Sequence, residues 1–141
     1  MQDSLTYTLH KLVFSLDRAA DTLLRDAFDI SYRRALVLVV LQDQPGITQH
    51  QLAQALGHTD PAVSALLAEL AKDGFVDIQV SSLHKRKKEV QLTAKGKDMA
   101  AQTHQYLMEK LNSLLLAANV DGALYDRLTK QLYNTLIQKE K

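Results

Sequence analysis

Residues 48–74 read TQHQLAQALGHTDPAVSALLAELAKDG. Thr48, followed three residues later by Gln51, has the form of a capping box, in which a hydroxyl caps a helix and the amide side chain reaches back to the cap residue. A short helix follows with Leu52, Ala53 and Leu56 as its apolar side, and Gly57 stops it. Thr59-Asp60-Pro61 then opens a second helix. The Thr59 hydroxyl can cap it, Asp60 suits the positive end of the helix dipole, and Pro61 lacks an amide hydrogen that would find no partner there anyway. Val63, Leu66, Leu67 and Leu70 fall at i, i+3, i+4 and i+7 and predict its buried stripe, and Gly74 ends it.

The flanks extend the same reading. Upstream, Leu5, Leu9, Leu12, Val13, Leu16, Ala19, Ala20, Leu23, Leu24, Ala27 and Phe28 recur at three- and four-residue steps, which predicts a long amphipathic helix. Ser31 can cap a further helix through the apolar block Ala35 to Leu41, ending near Asp43, and Gln44-Pro45-Gly46 is a turn. Downstream the period changes. Phe75, Val76, Ile78 and Val80 read as a strand, Glu89-Val90-Gln91-Leu92 as its partner, and the residues between them as a polar, basic hairpin tip. Thr93 caps a long helix carrying Met99, Thr103, Tyr106, Leu107, Leu111, Leu114, Leu115 and Ala118. After a break at Asn119 to Gly122, with Asp121 as the next cap, Leu124, Leu128, Leu132 and Leu136 mark a last helix. Gly57, Gly74, Gly96 and Gly122 are read as boundaries. The expected fold is mainly α with a small β hairpin, a winged helix-turn-helix between long N- and C-terminal helices.

Composition bounds what such a chain can do. Its 141 residues are enough for one compact domain with a real core. Hydrophobic residues make up 46% and charged residues 23%, which argues against a disordered chain. The absence of cysteine removes disulfides, thiolate metal ligands and thiol nucleophiles. No apolar run is long enough to span a bilayer, and Met1-Gln2-Asp3-Ser4 lacks the basic start of a signal peptide, so a cytoplasmic protein without a membrane partner is expected. No phosphate loop, nucleophile elbow or metal triad is present, so neither an enzyme nor a cofactor is expected. Net charge is only +1, so any nucleic-acid signal must be local.

One local signal is strong. A helix-turn-helix followed by a hairpin suits DNA because the major groove admits one α-helix, whose exposed N-terminal residues reach base edges. A basic hairpin beside it can follow the phosphates or enter the minor groove. A run of basic residues is most often a solvated tip, but Lys85-Arg86-Lys87-Lys88 follows a helix-turn-helix.

The segments GITQHQLAQALG at 46–57, VSALLAELAKDGFV at 63–76 and VQLTAKG at 90–96 resemble the MarR family of bacterial transcription regulators. The flanking long helices match that family in size and order. The resemblance implies a homodimer bound to a palindromic operator on double-stranded DNA, commonly as a repressor, with small aromatic or phenolic effectors releasing the DNA. It implies a dimerisation helix over 1–30, a DNA-binding domain over 31–96 and dimerisation helices over 97–141. The helix from Thr59 matches the recognition helix, Thr59 and Ser64 match phosphate- or base-contacting positions, and Arg86 matches the wing arginine that enters the minor groove.

Two departures stand out. Where the family often carries a basic or polar residue this chain has Ala65, and the exposed recognition face reads Asp60, Pro61, Ala62, Ser64, Ala65, Ala68 and Glu69. The position two residues before the wing arginine, often Asp in the family, is His84. The expected DNA-contacting set is therefore Thr48, Gln49, Thr59, Asp60, Pro61, Ala62, Ser64, Ala65, His84, Lys85, Arg86, Lys87 and Lys88. Lacking an Arg–guanine contact on the recognition helix, the chain should draw affinity from the wing, with a steep salt dependence and an A/T-leaning site. A protonated His84 would add to the wing's charge, so mild acid should tighten binding.

Residues Tyr7, His10, Tyr32 and Arg33 are the candidates for an effector pocket. Two other readings stand beside DNA regulation. A winged helix can serve protein–protein contact, for which the acidic residues of the recognition face argue. A metal-dependent regulator is the other, although His10, His50, His58, His84 and His104 share no ligand spacing and no metal site is expected.

Overall fold

The computed structural model describes residues 4–80 and 88–140. Six helices and a two-stranded antiparallel hairpin run in the order α1 Leu5–Phe28, α2 Tyr32–Asp43, α3 Gln49–Leu56, α4 Asp60–Lys72, β1 Val76–Val80, β2 Lys88–Leu92, α5 Ala94–Ala117 and α6 Gly122–Glu140. The chain divides between His104 and Gln105 into two compact units.

In the first unit, side-chain caps start the helices where the sequence puts Ser, Thr or Asp. Ser4, Ser31, Thr48 and Thr59 each accept a hydrogen bond from a first-turn amide of α1, α2, α3 and α4. The capping box is complete: Thr48 Oγ1 accepts from the Gln51 amide at 3.2 Å, and the Thr48 amide donates to Gln51 Oε1 at 3.0 Å. Gly57 closes α3 with φ +67°, in the left-handed region that favours glycine.

The core forms where α2, α3, α4 and the hairpin meet. Ala35, Val37, Leu38 and Leu41 of α2, Leu52 and Ala53 of α3, and Val63, Leu67 and Leu70 of α4 are buried together with Phe75, Val76 and Val90. The apolar block of α2 is central, in contact with α1, α3 and β2. Three expectations need correction. Leu56 and Leu66 are half-buried, because both line a cleft instead of the core. In β1 only Val76 is buried, since the core covers the strand only at its start; Ile78 and Val80 are exposed. Gly96 lies inside the first turn of α5 and is buried. A Cβ there would sit 2.0 Å from the Phe75 carbonyl oxygen, so the residue permits close helix–backbone approach.

That approach is stitched by neighbours. Thr93 Oγ1 donates to the Gly74 carbonyl at 2.7 Å and accepts from the Gly96 amide at 3.0 Å. Lys95 Nζ donates to the Asp73 carbonyl at 2.7 Å and lies 4.5 Å from the Phe75 ring centre. The start of α5 is thereby anchored to the end of α4. α1 is different: of its residues only Leu24 is buried, while Leu5, Leu9, Leu12, Val13 and Phe14 are exposed.

The second unit holds the rest of α5 and all of α6. Asp121 Oδ1 accepts from the Leu124 amide at 3.1 Å and caps α6. No residue of α6 is buried, and Leu124, Leu128, Leu132, Tyr133 and Leu136 are exposed.

Candidate nucleic-acid interface

The site is built from α3, the turn at Gly57, α4 and the hairpin. α3 packs on α4, and β2 packs on α2 and α3. An isolated bridge pairs Thr48 with Glu89 of β2, which ties the start of α3 to the hairpin. The hairpin register runs from Val76 opposite Leu92 to Val80 opposite Lys88.

Thr59, Asp60, Pro61, Ala62 and Ala65 are exposed at the start of α4, and Ser64 is half-buried. Thr59 Oγ1 is already engaged, accepting from the Ala62 amide at 3.3 Å. Thr48 and Gln49 are half-buried at the start of α3, and Lys88 is exposed at the start of β2. His84, Lys85, Arg86 and Lys87 lie outside the described residues.

The two acids of α4 are both paired, by partners that sequence spacing does not reveal. Asp60 faces His50 of α3, whose Nδ1 lies 3.1 and 3.2 Å from its two carboxylate oxygens. Glu69 accepts from Arg34 of α2, with Nε at 3.0 Å, and the Arg34 Nη1 lies 3.6 Å from Asp73. Glu69 therefore belongs to the α2-facing side of α4, which corrects its assignment to the open recognition face. Arg34 draws it there.

Beside this pair is a cleft of about 1120 Å³ between α1, α2, α3 and α4. Phe14, Leu36, Leu56 and Leu66 supply apolar wall, and Arg18, Arg25, Arg33, Arg34, Asp17 and Asp21 supply charge. Tyr32 and Arg33 line it; Tyr7 and His10 are exposed on the early turns of α1 and do not. Asp21 joins α1 to α2, accepting from the Tyr32 amide at 2.9 Å and from Arg25 Nε at 2.8 Å. The Tyr32 amide first and Arg25 second hold the Asp21 carboxyl below its ordinary range. Burial pushes the Tyr32 phenol up, and Asp17 adds to the shift. Among the described residues no group of three His, Asp or Glu gathers in a way that could hold a metal, and no helix is long and apolar enough to cross a membrane.

A MarR family model matches residues 28–87, which take in α2, α3, α4 and β1. No curated protein matches the chain. Among solved structures the chain is similar to MepR of S. aureus in its DNA complex, with 24% identity and a TM-score of 0.79 over 97% of this chain and 99% of that one. It is similar in the same way to wild-type MarR from E. coli in its apo form, with 24% identity and a TM-score of 0.79 over 96% and 99%. The shared architecture is the winged helix-turn-helix framed by long helices.

Proposed function

We propose that the chain is a MarR-family protein that works as a homodimeric transcription regulator, binds a two-fold symmetric duplex site, represses from it, and is released by a small effector. The observation that carries this reading is the exposed first turn of α4, in a helix-turn-helix that leads directly into the hairpin. A helix offered by its N-terminal turn is what a major groove accepts. The pairing of Asp60 with His50 and of Glu69 with Arg34 accords with it, because each acid already has a hydrogen-bonding partner within the protein. The same pairing weighs against a protein-docking winged helix, for which the acids of the recognition face argue. The MepR structure named above is a DNA complex, which accords with this reading.

Dimerisation follows from α1 and α6. Each carries a stripe of exposed leucines that water should not face, and a second copy of the chain is the natural cover. The proposed division of labour is a dimerisation helix over 1–30, DNA binding over 31–96 and dimerisation over 97–141. In the dimer two α4 helices must stand about 34–36 Å apart to enter successive major grooves on one side of the duplex. The effector's place in this reading is the cleft between α1, α2 and α4, where an aromatic molecule would meet both apolar wall and guanidinium groups. By wedging there it changes the spacing of the α4 helices, and by linkage DNA weakens the effector equally. Selection of duplexes from a randomised library, with sedimentation of the free protein, tests the reading. Two-fold symmetric sites and a dimer at micromolar concentration are expected; a monomer that enriches nothing overturns it.

A further inference from the structure

We propose that Asp60 reads a base: its carboxylate accepts a hydrogen bond from the exocyclic amine of a cytosine in each half-site, and His50 holds it in position to do so. This rests on the DNA-binding reading above and names a specificity determinant within it.

The open turn of α4 offers few polar groups to a groove. Thr59's hydroxyl oxygen accepts from the Ala62 amide, which leaves its O–H as a neutral donor, and Pro61, Ala62 and Ala65 carry no polar side-chain atom. Asp60 is the one charged side chain on that turn. A carboxylate cannot contact a phosphate favourably and only accepts hydrogen bonds. If α4 lies in the groove, Asp60 needs a donor there. The donors on major-groove edges are the amines of cytosine and adenine. Adenine's amine is flanked by N7 on its own ring and by the O4 of thymine, two acceptors that repel a carboxylate. Cytosine's amine has a C–H on one side, so cytosine is the better partner.

His50 positions the carboxylate. The His50 Nδ1 lies 3.1 and 3.2 Å from the two carboxylate oxygens, so one ring nitrogen addresses both inner lone pairs. The outer lone pairs stay open, and the Asp60 side chain remains 55% exposed. The contact spans the turn between α3 and α4. It therefore limits side-chain freedom that would otherwise be lost on binding. Pro61 and Ala62 beside it offer apolar contact for thymine methyl groups.

The test selects randomised duplexes with full-length wild-type protein and with Asp60→Asn, Asp60→Ala, His50→Gln and His50→Ala, each checked for unchanged helical circular dichroism. All four substitutions are on exposed side chains. Wild type should recover one C·G pair at a symmetric position of both half-sites, preferred roughly 10-fold or more. Asp60→Ala should make that position degenerate and leave the others intact. Asp60→Asn should shift it to A·T, because an amide pairs with both edge atoms of adenine. His50→Ala should weaken the preference without changing its identity, and His50→Gln, which keeps an N–H donor, should restore much of it. An Asp60→Ala pattern identical to wild type overturns the proposal, whether or not overall affinity rises. If wild type enriches no sequence at all, the DNA-binding reading fails and this inference falls with it.

Discussion

Arg34 of α2 donates from Nε to Oε2 of Glu69 on α4 over 3.0 Å, and its Nη1 stands 3.6 Å from Asp73 one turn further along the same helix. One guanidinium thus links the second helix to the C-terminal half of α4. Its partners are 53% and 47% exposed, so the ion pairing adds little stability for its charge alone. Its geometry is the stronger contribution, because a planar fork fixes direction as well as distance.

Arg34→Ala should cost about 1 kcal/mol or less in unfolding free energy, read from a denaturant titration. It should weaken DNA binding several-fold, because α4 loses a tie to α2. Arg34→Lys should not restore affinity, since an ammonium cannot fork. Wild-type DNA affinity in Arg34→Ala would show that the pair does not orient α4.

Gly96→Ala should be among the most damaging small substitutions in the chain. The added methyl meets the Phe75 carbonyl at 2.0 Å, and the oxygen belongs to backbone that cannot swing aside. A loss of about 1–3 kcal/mol or more is expected. A urea midpoint equal to that of wild type would contradict the close approach of α5 to Phe75.

Stability should be trimmed at both ends of the pH scale by two groups at the α1–α2 junction. The folded-state value of Asp21 lies below the ordinary 3.8, so its contribution is complete above that pH and is lost as pH falls through the lowered value. Tyr32 is shifted above 10.0, so its contribution is complete below that pH and is lost as pH rises through the raised value. Thermal melts of Asp21→Asn should fall short of wild type at neutral pH and converge with it in strong acid. Tyr32→Phe should flatten the alkaline limb. A gap for Asp21→Asn that persists unchanged at the acid end would contradict the assignment.

Leu132→Glu combined with Leu136→Glu should split the proposed dimer while leaving each protomer folded. Both side chains are exposed, at 73% and 58%, so neither supports the protomer's own core. Sedimentation should shift from dimer to monomer, and affinity for a two-fold site should fall steeply because the second half-site no longer adds to the first. An unchanged dimer would place the interface elsewhere.

Arg86 lies outside the described residues, but its chemistry supports an expectation. Arg86→Ala should cost about 1–3 kcal/mol per half-site and reduce the salt dependence of binding. Titrations at two or three ionic strengths measure both effects. A slope equal to that of wild type would remove the wing from the contact set.

Much of this molecule was readable from neighbouring residues. The caps at Ser31, Thr48, Thr59 and Asp121, the stop at Gly57 and the hairpin strands all appear where local pattern put them. Caps and stops depend on side chains within four residues of the backbone groups they satisfy, so a short window contains the whole interaction. Periodicity does not separate core from cleft where one helical face serves two neighbours. Leu56 and Leu66 keep the period of buried residues but face the cleft.

The placement of the two acids of α4 depends on partners far along the chain. Glu69 meets Arg34 across 35 residues and Asp60 meets His50 across 10, distances at which nothing in local spacing marks a partner. The role of Gly96 is similar, since it is set by the Phe75 carbonyl 21 residues earlier and not by any turn at Gly96. Helix periodicity tells which side of a segment is apolar; which neighbour that side meets is settled when the helices pack and bring distant charges within bonding reach.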